Sequence, residues 1–125
     1  MRRALVSLVL VTGLALAGCS HQIAKGTAVA AKQKTHWYLA TVTDHEGENL
    51  KVRFYDQEEM TLPPQEVKLP LAAKEVKEGA DVLAVWKTGQ FYPGTVKAVT
   101  KTGALIRWHD GSPPSEAEFG KIIAP

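Results

Sequence analysis

Glu78–Asp110 reads EGADVLAVWKTGQFYPGTVKAVTKTGALIRWHD, and the fold is read outward from its three apolar runs. VLAVW (82–86), FYPGTVKAV (91–99) and ALIRW (104–108) are rich in β-branched and aromatic residues, which suit half-buried strands. Lys87, Thr88 and Gly89 separate the first pair, and Lys101, Thr102 and Gly103 the second, residue types that permit tight reversals. Short strands joined by short turns predict an antiparallel meander. An open three-stranded sheet would leave its edges unpaired, so the meander is expected to curl into a small barrel.

The same pattern begins again at Lys25. GTAVAAKQKTHWYLATVTDHEGENLKVRFYDQEE lies over GADVLAVWKTGQFYPGTVKAVTKTGALIRWHDGS with one residue inserted in the first turn. Gly26 matches Gly79 and Val29 matches Val82. Trp37 and Tyr38 match Phe91 and Tyr92, Thr41 and Val42 match Thr95 and Val96, and the run Val52–Asp56 matches Ile106–Asp110. The period is about 54 residues, and two copies of a closed unit are expected rather than a solenoid. Leu62–Lys77 links the copies. Pro63 and Pro64 predict a turn followed by a short closing strand. In the second copy Pro113 and Pro114 predict the same break, then one helical turn at Ser115–Phe119 and a last strand at Lys121–Ala124. Units of about 50 residues are marginal alone, so Leu69, Leu71 and Val76 are expected to pack the two together.

At the start of the chain, MRRALVSLVLVTGLALAGCS has a basic pair at Arg2 and Arg3, an apolar run to Ala17 and small residues at its end. That is the pattern of a secretory signal, and the run is too short for a membrane span of about 20 residues. Leu16, Ala17, Gly18 and Cys19 look like the bacterial lipobox, which implies lipidation of Cys19 and removal of residues 1–18. Ser20 follows where the inner-membrane retention signal would have aspartate. The implied destination is the periplasmic face of the outer membrane.

Removal of the signal changes the charge balance. The chain has 15 Lys and Arg against 13 Asp and Glu. Arg2 and Arg3 leave with the signal, so 13 face 13 and no basic run remains to follow a phosphate backbone. A nucleic-acid partner is therefore not expected. With the single cysteine, Cys19, expected to carry lipid, packing alone is expected to hold the fold.

The order A-x-W, a short turn, F-Y-P-G-T-V, and then an aromatic before D-G resembles the Tudor/agenet group of SH3-like barrels over residues 78–122. The resemblance implies an all-β chain of two small five-stranded SH3-like, Tudor-like barrels in tandem after a lipoprotein signal peptide. The divisions are 1–18 for the signal, 19–25 for a lipidated tether, 26–70 for the first barrel and 76–125 for the second. It also implies an aromatic cage for a soft cation, with Trp86, Tyr92 and Trp108 as walls and Asp110 as a charge partner at the rim. The position that holds a further tyrosine in many members falls among His109, Asp110 and Gly111. The first copy has Lys32 or Gln33 in place of the tryptophan, so its cage is expected not to work. Aromatic strand residues also need no ligand to explain them.

The residue pattern gives little support to catalysis. His36, His45 and His109 lack metal-ligand spacing, His21 lies in the tether, and no nucleophile elbow or phosphate-cradling loop occurs. Asp44, Glu46 and Glu48 read as a solvated hairpin tip around Gly47, and Asp56, Glu58 and Glu59 as a solvated turn. The expectation is a non-enzyme with no cofactor and no evident small-molecule substrate. It would be tethered to the membrane through Cys19 and would recognise a protein or cell-envelope partner through the second barrel. The alternative is a structural lipoprotein, an accessory subunit of an envelope complex with no pocket.

Overall fold

A computed structural model of the chain describes residues 23–125; the signal segment, Cys19 and His21 lie outside the described residues. The regular structure of the described residues is nearly all β, and their only helical pieces are 3-10 turns at Pro64–Glu66 and Ala73–Glu75. The first sheet contains β1 (Ala28–Gln33), β2 (His36–Glu46), β3 (Asn49–Phe54), β4 (Glu59–Leu62) and β5 (Val67–Lys68), hydrogen-bonded in the order β4-β3-β2-β1-β5. The second contains β6 (Asp81–Val85), β7 (Phe91–Val99), β8 (Gly103–Trp108), β9 (Ser115–Glu118) and β10 (Ile122–Ile123), in the order β10-β6-β7-β8-β9. With β6 set on β1, the two orders are identical. The chain thus forms two five-stranded curled sheets, consistent with two small β domains.

The repeat is visible in the backbone as well as in the residues. Gly26 N donates to Val42 O at 2.7 Å and Gly79 N to Val96 O at 2.8 Å, with φ of 90° and 88° at the two glycines. Each long strand carries a register shift at the same place, between Val42 and Asp44 in β2 and between Val96 and Ala98 in β7. A bulge bends the strand and increases its twist. One half of β2 can therefore pair with β1 and the other half with β3 while the sheet curls around its own apolar side chains. Val29, Val42, Leu50, Val52, Phe54 and Leu62 fill the first interior. Val82, Val96, Ile106, Trp108, Ala117 and Ile122 fill the second.

Three expectations are corrected. Ser115–Glu118 is a strand, not a helical turn: it pairs with β8 through Ile106↔Ser115 and Ala104↔Ala117, because the free edge of β8 offers it backbone partners that a single helical turn lacks. The two Pro-Pro pairs are not equivalent either. Pro63 and Pro64 follow β4, whereas Pro113 and Pro114 precede β9. Finally, Leu69 is exposed, Leu71 packs against the second interior and Val76 is buried within it.

The two sheets instead meet through Ala30, Phe91 and Ile123, all buried, with Trp37, Leu39, Leu83 and Val85 packed around them. Leu39 N donates across the seam to Gly89 O at 2.7 Å, and the ring of Tyr55 lies so close to Gly89 that an added Cβ would stand 2.6 Å from it. Lys68 Nζ donates to Ala124 O at 3.0 Å and sits 4.9 Å over the Trp37 ring. The consecutive apolar residues of β1, β6 and β10 explain this arrangement. Val82 and Ala84 point into their own sheet, while Leu83 and Val85 need a second covered face.

Candidate functional site

Trp86, Tyr92 and Trp108 come together at one end of the second sheet, each placed by its strand. Trp86 stands just past the end of β6, Tyr92 lies on β7 opposite Ala84, and Trp108 ends β8 opposite Gly94. The glycine of the F-Y-P-G run has a packing reason. A Cβ on Gly94 would stand 2.4 Å from Ile106 Cγ2 and 3.4 Å from Trp108 Cε3, so only glycine leaves room for both side chains.

The three rings form a layered cluster. Trp108 is buried, and its indole N–H donates to Ser115 Oγ at 3.0 Å. Trp86, half-buried, stacks on Trp108 with centroids 5.4 Å apart and planes 21° from parallel. Tyr92 meets Trp86 edge to face at 5.7 Å. Lys87 Nζ lies 4.4 Å from the centroid of Trp86. A ring face carries negative electrostatic potential, so this is the position that a cation takes. The stack leaves no gap between the two indoles for a ligand to enter, so the surface offered to one is the part of Trp86 that Lys87 covers.

Carboxylates other than Asp110 border this surface. A hollow of about 410 Å³ is bordered by Trp86, Lys87, Thr102, Glu116, Glu118 and Lys121. Glu116 Oε2 accepts hydrogen bonds from Thr100 Oγ1 at 2.6 Å and Thr102 Oγ1 at 2.7 Å, and these two hydroxyls hold its pKa below the usual carboxylate value. Asp110 does not border the hollow. Its carboxylate accepts from Ser112 N at 2.9 Å within a turn, and its pKa is lowered first by Ser112 and, more weakly, by the charge of Lys87. The sequence does not single out Glu116 and Glu118, because their segment reads as a helical turn until its pairing with β8 is known. The signal was present in the alternation of Ser115-Glu116-Ala117-Glu118, with Ala117 buried and both glutamates exposed.

In the first sheet Gln33 stands where the second has Trp86. Tyr38 there meets Phe54 edge to face at 6.4 Å and stacks on Tyr55 at 6.2 Å. Tyr38 and Tyr55 reach the seam, Tyr38 bridging to Gln90 and the Tyr55 ring lying beside Gly89. Compared with known proteins, the chain matches no family model and has no significant match among curated proteins.

Proposed function

We propose that the chain is a lipid-anchored cell-envelope protein of two SH3-like, Tudor-like barrels in tandem. In this reading Trp86 receives a cationic group of an envelope partner, with Tyr92 and Trp108 as its support. The observation that carries the reading is the ammonium of Lys87 over the outer face of Trp86, 4.4 Å from its centroid. A site that holds its own lysine this way has the chemistry to hold another cation in exchange. Glu116 and Glu118 supply the negative charge beside it, and Asp110 lies outside the hollow. A cation over one indole gains about 0.5–2 kcal/mol according to its desolvation. Displacing Lys87 offsets part of that gain, so the partner must add contacts along the hollow. The anchor rests on Cys19 and the lipobox-like residues around it.

The stacking of Trp86 on Trp108 favours a second reading, a structural lipoprotein whose aromatics only complete the fold. Capture of envelope partners by the wild type and by Trp86→Ala separates the two. A partner lost on this single change supports the cation site, and one lost only on broad surface changes supports the scaffold. Fractionation tests the anchor separately: Cys19→Ser protein is expected to leave the outer membrane, and its full retention there would refute lipid anchoring through that residue.

A further inference from the structure

A second concavity, of about 480 Å³, opens where the two sheets meet. Its apolar wall comes from both: Leu39 of β2 and Phe54 and Tyr55 at the end of β3 on one side, and Phe119 of the β9–β10 turn on the other. The size is that of a small-molecule site, and a junction between domains is a common place for one. The charged residues that line it are Arg53 and Lys121, both cationic. Their carboxylate partners, Glu59 at 3.0 Å and Glu118 at 3.4 Å, do not line it. Arg53 uses Nε and Nη2 for Glu59, which leaves Nη1 outside that pair.

Gln57, also in the lining, is held with φ at 79°. The equivalent turn of the second sheet has Gly111 there, with φ at 87°. The two turns share their bonds: Gln57 N donates to Phe54 O and Gly111 N to Trp108 O, while Asp56 and Asp110 accept from Glu58 N and Ser112 N. The geometry suits glycine, yet the first copy places a carboxamide at the cleft in a backbone conformation that L residues rarely adopt.

We infer that this seam cleft binds a small carboxylate with an apolar body. The body lies against Leu39, Phe54 and Phe119, and the acid group meets Arg53 and Lys121 with Gln57 as a further hydrogen-bonding group. This site shares Lys121 with the hollow beside Trp86 but none of its rings, and it does not rest on the cation-binding reading.

The test uses 4-phenylbutyrate, an apolar ring and chain ending in a carboxylate, and its neutral amide, titrated into the full-length protein under ¹H–¹⁵N NMR. Saturable shifts are expected at Leu39, Tyr55, Phe119 and Gly120, with the amide about tenfold weaker, as the loss of a charge-assisted hydrogen bond implies. Arg53→Gln is expected to weaken the acid about tenfold and to leave the amide unchanged, whereas Trp86→Ala leaves both unchanged. Lys121 borders both concavities, so Arg53 is the discriminating position. Equal binding of acid and amide, shifts confined to other residues, no saturable shift, or loss of binding in Trp86→Ala would each overturn the inference.

Discussion

The indole of Trp86 lies on that of Trp108 with centroids 5.4 Å apart, and the buried ring is itself fixed by the Trp108 Nε1–H bond to Ser115 Oγ. The partly buried ring that we propose as the cation site therefore depends on an interior residue. Trp108→Ala should cost about 3–5 kcal/mol, the usual range for emptying a buried aromatic site. Trp86→Ala should cost less than that, because its ring is only partly buried and packs against the edge of the interior rather than within it. Urea midpoints of the two variants measure the difference, and equal losses would make Trp86 a core residue.

Replacing Gln57 by glycine should raise stability by about 0.5–1 kcal/mol, since φ at 79° strains an L side chain and suits glycine. Gly111→Gln should lower it by a similar amount, because φ there is 87° in the same kind of turn. Thermal melts of both variants check the sign. A destabilised Gln57→Gly protein would mean that the Gln57 side chain contributes more to folding than its backbone costs.

The seam predicts coupled unfolding. Phe91 and Ile123 are 4% and 0% exposed between the sheets, so separating the sheets would bring buried apolar side chains into water. The full chain should melt in one transition, and Phe91→Ala should cost about 3–5 kcal/mol and broaden or split it. A fragment of residues 76–125 should give a β-type circular dichroism spectrum and a cooperative melt at lower temperature, because it leaves Phe91, Leu83 and Val85 uncovered. A fragment that stays unfolded would assign the stability of the second sheet to the first.

Acid should destabilise the protein in a narrow window. Asp44, Asp110 and Glu116 all have pKa values below their ordinary 3.8, 3.8 and 4.5, through His45 N–H and Lys25, through Ser112, and through Thr100 and Thr102 respectively. A carboxyl with a depressed folded pKa binds protons less readily folded than unfolded, so its contribution is full above the unfolded value and is lost as pH falls through the folded one. The part of the melting temperature that these three carboxylates contribute should be constant above about pH 5 and fall below about pH 4.5. Glu116→Gln should shallow that fall, and melts between pH 3 and pH 7 would reveal it.

The sequence by itself determined the β class, the three strands of each copy and the repeat that relates them. These features rest on local properties: side-chain alternation, β-branched and aromatic content, and glycines where the chain turns. It also named the aromatic trio, since each ring stands at or just beyond the end of a readable strand. Only the tertiary structure decided which carboxylates accompany those rings. Glu116 and Glu118 border the hollow because Ser115–Glu118 pairs with the edge of β8, and that pairing depends on a partner distant in sequence. The seam was likewise decided at long range. The run Val82-Leu83-Ala84-Val85 indicates that both faces of β6 are covered, but not that Ala30, Phe91 and Ile123 do the covering, because side-chain periodicity gives the faces of a strand and carries no information about which surface meets them.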